Sequence, residues 1–229
     1  MTEFDHFSSS LFSFLKDLEA NNNRDWFNAR KDKYEDKIRT PALEFVRSME
    51  DPLLNISPHF MASDKKSGGS LLRIYRDLRF GKDKRPYKNN VGIQFKHEDG
   101  KDIHAPGYYL HLANDGCFLG LGMWGPATKV LFKIRTRIVE DPKAYNKIIN
   151  AKAFKDTFEL KGTSLKRAPK GFDPNDPMIM ELRRKSFIAI KFYTKKEITQ
   201  KGFKKQITKD FKTGNAFMNF LCECVEIPF

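Results

Sequence analysis

The sequence predicts an α+β fold: one domain over residues 1–229 with a mostly antiparallel central sheet flanked by N- and C-terminal helices. Three patterns carry that expectation. Apolar residues recur at helical spacing near both ends of the chain. Alternating apolar runs fill the middle, and two of them flank Asn114-Asp115-Gly116, a strong hairpin signal. The strand leading into Gly120-Leu-Gly122-Met-Trp-Gly125 reads as half of that hairpin, and no second parallel strand ending in an acid follows it. A dinucleotide-binding reading of those glycines therefore fails; close packing or a bulge is what they imply, and a second reading stays open in which the exposed amides of the helix opened by Gly125-Pro126 help bind an anion.

Taken in order, Leu11, Phe12, Phe14, Leu15 and Leu18 predict a helix over 8–20. Asn22 or Asn23 then caps a second helix, with Asp25 in its first turn and Pro41 splitting or kinking it. Residues 51–70 read as loop. Leu71–Tyr75 and Val91–Phe95 are strand candidates, followed by the hairpin strands at 108–112 and 117–121. Pro126 is placed as the first residue of a helix whose buried face is Val130, Leu131, Ile134 and Ile138. Pro142 opens another helix that runs to about Phe154. A long loop spans 162–177, and 186–193 is the best strand of the second half. Thr194 and Glu197 form a capping box for a further helix, and the last helix lies near 215–226.

Composition bounds function. A chain of 229 residues with 40% hydrophobic and 31% charged residues predicts a soluble globular protein with an ample core. No apolar run is long enough for a membrane span. The opening MTEFDHFSSS lacks a basic region and a signal core, so the expectation is cytoplasmic, without a membrane partner. Three cysteines make no disulfide framework, and free thiols are expected. The net charge of +13 favours polyanions, although a lysine-rich composition with solvated faces produces the same total. Residues 1–50 carry a net charge of −2, so the N-terminal fifth is not expected to join a basic face.

Arginine placement says more. Four of the 13 arginines fall between Arg73 and Arg85, and seven cations lie between residues 73 and 88 with Tyr75, Phe80 and Tyr87 among them. An extended chain would put Arg73, Tyr75, Asp77 and Arg79 on one face and Leu72, Ile74 and Leu78 on the other. Such a fork suits phosphate or carboxylate oxygens. The candidate anion site is Arg73, Arg76 and Arg79 holding the anion, Asp77 orienting them, and Lys84 and Lys88 closing on it, with Tyr87 and Arg135 completing the set. The same residues also read as a salt-bridge network fastening a loop to the sheet. His104 and His111 have no cysteine or acid at metal-ligand spacing, and Cys222-Glu-Cys224 is not a zinc motif, so neither a metal nor a cofactor is expected. The loop at 162–177 carries Lys166, Arg167 and Lys170 and reads either as a lid over the arginine-rich segment or as a solvated excursion pinned by Leu165 and Phe172.

These segments also resemble a known family. The pattern Asn-Asn…Trp26-Phe27…Tyr34, the block Arg73-Ile-Tyr-Arg76-Asp77-Leu-Arg79-Phe80…Asp83-Lys84…Pro86-Tyr87-Lys88, then Pro106-Gly-Tyr-Tyr109, Gly120-Leu-Gly122, Arg135 and Leu165…Pro169-Lys-Gly171-Phe172…Pro177 are similar to domain of unknown function 2461, a set of conserved hypothetical proteins of bacteria and fungi. Gly81 stands where that family usually has serine, and Arg85 where threonine is common; neither touches the Arg-Asp-x-Arg-Phe core. The resemblance implies a shared fold and site and no established activity. Three readings stay open: a protein, enzyme or not, that takes a phosphorylated small molecule or nucleotide; a nucleic-acid-binding protein using the same basic and aromatic face; and an interaction protein in which the cluster is scaffolding.

Overall fold

The structure, a computed structural model, describes residues 4–79, 83–100 and 105–229. Of the features named above, Phe80, Gly81, Lys82 and His104 lie outside the described residues. The fold class is α+β as expected, with a six-stranded, wholly antiparallel sheet in the order β1-β2-β3-β4-β6-β5.

The N-terminal helices are α1 (Ser10–Ala20), α2 (Arg24–Asn28), α3 (Lys31–Tyr34), a π-helical turn (Glu35–Arg39), α4 (Thr40–Ser48) and α5 (Glu50–Leu54). Asn23 caps α2 by accepting from the Trp26 amide at 2.9 Å. Pro41 lies in the first turn of α4, directly after the π turn. A proline lacks an amide donor and its ring crowds the preceding turn, so the widened turn is where the helix accommodates it. Residues 51–70 are not wholly loop. They hold most of α5 and the short edge strand β1 (Phe60–Met61), both too brief for periodicity to register.

The sheet continues through β2 (Asn90–His97), β3 (Gly107–Ala113) and β4 (Cys117–Met123). The predicted hairpin joins β3 to β4, closed by the Ala113 amide donating to the Gly116 carbonyl. Next come α6 (Thr128–Glu140), α7 (Pro142–Ile149), α8 (Lys152–Thr157) and the short edge strand β5 (Glu159–Lys161). Pro126 stands two residues before α6, outside it. The helix expected over 142–154 breaks at Asn150-Ala151. The last elements are α9 (Ile179–Leu182), β6 (Phe187–Tyr193), α10 (Lys195–Thr199), α11 (Phe203–Thr213) and α12 (Asn215–Cys224). The Thr194–Glu197 capping box is present at α10.

Strand alternation sorts the sheet into two faces. Val91, Ile93, Phe95, Tyr108, Leu110, Leu112, Leu119, Leu121 and Ala189 are buried against the helices. That core is aromatic: Tyr108 stacks on Phe211 of α11 at 4.4 Å, and Phe45 of α4 meets Phe95 at 6.1 Å. The opposite face carries Gln94, Tyr109, His111, Phe118, Gly120, Ile190 and Phe192, and no described helix covers their side chains to the same degree. Cys117, Cys222 and Cys224 are free and buried, and burial pushes the Cys222 and Cys224 thiols up to about 12.

Candidate functional site

The arginine-rich segment forms an irregular hairpin standing off the edge of β2. Its entry strand starts on the sheet, where the Leu72 amide donates to the Gly92 carbonyl at 2.9 Å and Leu71 bridges Ile93. Farther out the segment pairs with itself: Tyr75 bridges Tyr87, the Arg76 amide donates to the Pro86 carbonyl, and the Lys88 amide to the Ile74 carbonyl. The alternation read from the sequence is present. Ile74 is buried and Leu72 and Leu78 half-buried, whereas Arg73, Tyr75, Asp77 and Arg79 are exposed.

Asn22 fixes this hairpin to the N-terminal helices. Its amide nitrogen donates to the Tyr87 carbonyl at 3.0 Å and its carbonyl oxygen accepts from the Tyr87 amide at 3.1 Å. The Tyr87 ring stacks on Phe27 of α2 at 4.1 Å. Asn22 is thus the clamp and Asn23 the cap. Replacing Asn22 with alanine orphans both main-chain groups of Tyr87 and should cost about 1–3 kcal/mol. Chemical denaturation checks the loss, and hydrogen exchange at the Tyr87 amide should accelerate; an unchanged amide would show that the clamp is redundant.

The two acids of the segment act on different arginines. Asp77 receives the Arg79 guanidinium through Nε at 2.9 Å and Nη2 at 2.6 Å, as well as the Arg79 amide at 3.1 Å. That pairing holds the Asp77 carboxyl at about 2, so the pair persists as the pH falls through the ordinary carboxylate range and is lost only near that value. Asp83 takes Arg85 through a forked contact (Nε 3.0 Å, Nη2 2.7 Å) and also accepts from Arg76, and its carboxyl lies well below its usual range, chiefly because of Arg85. Lys84 donates to the Leu78 carbonyl at 3.1 Å. Lys88 pairs with neither acid: its ammonium is held below the ordinary lysine range, first by burial and then by repulsion from Arg73 and Arg76.

Arg73 also borders a cavity of about 360 Å³ between this segment and the helices α2 to α4. Five cations line it, Lys31, Arg39, Lys65, Lys66 and Arg73, against one carboxylate, Glu35, which Arg39 already engages at 3.2 Å. Phe27, Tyr34 and Tyr75 supply aromatic walls. Burial, with Glu35 adding to it, pushes the Tyr34 phenol up to about 12, so it stays protonated. The expectation that the N-terminal fifth contributes to no basic face is overturned: Lys31 and Arg39 lie in it. Summing charge along the chain averages over the faces of a helix, so acids close to Lys31 and Arg39 in sequence hide a cavity whose one carboxylate, Glu35, is already paired.

Arg135 stands elsewhere. It is buried on α6, donates through Nη2 to the Arg184 carbonyl at 3.0 Å, and lines none of the cavities bordered by the segment. Arg184 in turn forks onto Glu181, which also accepts from the Tyr145 hydroxyl at 2.9 Å. The loop at 162–177 is pinned close by: the Leu165 amide donates to the Arg183 carbonyl and Phe172 packs on Phe132 of α6 at 5.4 Å.

A family model described as "Conserved hypothetical protein (DUF2461)" matches residues 10–220, which span both the hairpin and the sheet that carries it. The chain belongs to this family. Membership accords with the shared blocks noted in the sequence, and the description attaches no activity to them. No curated protein and no solved structure matches the chain. Among the described residues, no helix is long and apolar enough to cross a membrane.

Proposed function

We propose that this member of the DUF2461 family binds a phosphorylated small molecule or nucleotide in the basic cavity beside the hairpin. The carrying observation is the imbalance of its lining: five cations around one already-paired carboxylate, in a space of about 360 Å³ with three aromatic walls. That volume lies within the range of small-molecule sites. Arg73 is the central anion ligand, because it reaches this cavity and also repels Lys88 beside it. Arg76 and Arg79 lie farther along the hairpin, outside this cavity, where Asp83 and Asp77 engage their guanidinium groups. Tyr75, half exposed, offers a face for a base.

Melting curves test this. Inorganic phosphate or adenosine monophosphate should stabilise the wild type, by about 2.7 kcal/mol at a hundredfold excess over the dissociation constant. Arg73→Ala should lose that shift while melting near the wild type on its own. A wild type indifferent to both ligands would refute the reading. Tighter binding to a single-stranded oligonucleotide, with a steep fall in affinity as salt rises, would favour the nucleic-acid reading.

A further inference from the structure

The open face of the sheet contains a cavity of about 400 Å³ that the basic site does not use. Register explains its shape. Across one row, Lys96 of β2 faces Gly107 of β3, which faces Gly122 of β4, which faces Ile188 of β6. The next row reads Gln94, Tyr109, Gly120, Ile190. Three glycines thus leave a bare patch of main chain between Gln94 on one side and the two isoleucines on the other. Tyr109 leans away from it, its hydroxyl 3.1 Å from His111 Nδ1 and over Gly92. The Gln94 amide leans in, 3.9 Å from where a Gly107 Cβ would stand. Trp124, 70% exposed, stands at the rim.

One of these glycines is required by the backbone and a second is tightly placed. Gly122 has φ +116°, and a Cβ on Gly107 would crowd the Phe95 carbonyl at 3.2 Å. Gly120 has neither reason: a Cβ there would meet nothing closer than 3.9 Å. A glycine inside a strand is otherwise destabilising, and such a position often marks a close approach of something to the main chain. The chemistry of the slot says what. Its lining is mostly apolar, the Gln94 amide both donates and accepts, and burial lowers the His111 imidazole below its ordinary range. Among the described residues no carboxylate lines the cavity, and the ammonium of Lys96, which stands just beyond the lining at the end of the glycine row, makes no hydrogen bond or ion pair with them.

We propose that this slot binds a planar heteroaromatic ring carrying a carboxylate, laid flat on the main chain of Gly107, Gly120 and Gly122, with Gln94 meeting the ring edge and Lys96 the charge. The test uses indole-3-carboxylate and uncharged indole as probes and reads the indole N–H resonances of the two tryptophans, assigned with Trp26→Phe. The Trp124 resonance should move saturably with millimolar indole-3-carboxylate, about threefold more tightly than with indole, while Trp26 stays still. Lys96→Met should bring the two probes level. Gly120→Leu should abolish both responses with the remaining spectrum native, and Gln94→Ala should weaken both should the leucine variant not fold. The proposal falls if Trp124 does not respond, if both probes bind the wild type equally, if Gly120→Leu still binds, or if the wild type is a dimer that Gly120→Leu splits. Because Arg73→Ala leaves this face untouched, failure here is distinct from failure at the basic cavity.

Discussion

Asp210→Ala is expected to destabilise the protein by about 3–5 kcal/mol, a large share of the roughly 5–15 kcal/mol that holds a typical domain. Asp210 is 2% exposed on α11 and serves three donors from two elements. The Lys191 ammonium reaches it at 2.7 Å and the Tyr193 hydroxyl at 2.6 Å, both from β6, and Gln206 of α11 donates at 3.0 Å. Burial, with the carboxylate of Asp210 adding to it, pushes the Tyr193 phenol far above its usual range, so it remains a donor. Alanine leaves a largely buried ammonium without its counter-charge and a buried hydroxyl without its acceptor. Urea unfolding should show a lower midpoint with an unchanged slope. The double variant Asp210→Leu with Lys191→Met should recover much of the loss, because both charges then leave together. Equal stability of Asp210→Ala and the wild type would mean that Lys191 simply swings to water.

This network also shows where reading a sequence stops. Thr194 and Glu197 announce their capping box because both partners lie within four residues, and Asn114-Asp115-Gly116 announces its hairpin for the same reason. The alternation from Arg73 to Arg79 is likewise local, and it appears in the structure although only isolated bridges hold it. Asn22 on Tyr87, 65 residues away, has no local signature, nor has Asp210 on Lys191. The basic cavity escaped for a related reason. Its lysines come from α3 and from the turn before Ser67, and only the folded chain sets them beside Arg73. Asp77 was expected to orient the arginines; it orients Arg79, whereas Asp83, unassigned by the sequence, takes Arg76 and Arg85. The glycine slot depends on register across four strands. Its glycines were visible, and their reading as sites of close packing holds at Gly122, but that three of them share a face is a property of the pairing.

Gly122→Ala should be comparably damaging, at about 3–5 kcal/mol. At φ +116° the residue occupies backbone space that a side chain rarely tolerates, and an ideal Cβ would lie 2.1 Å from the Phe187 carbonyl oxygen. That oxygen belongs to β6, the strand paired with β4 through this very residue. Relief therefore cannot come from a side-chain rotation; a strand must move, and with it the anchor by which the Gly125 amide donates to Ser186 at 2.9 Å. Gly120→Ala, two residues earlier on the same strand and face, meets only ordinary contacts and should melt at or above the wild-type temperature. The contrast isolates backbone geometry from the mere addition of a methyl group. Circular dichroism melts of the two variants side by side decide it: similar melting points would remove the steric argument, and with it the claim that only Gly120 is free to serve a ligand.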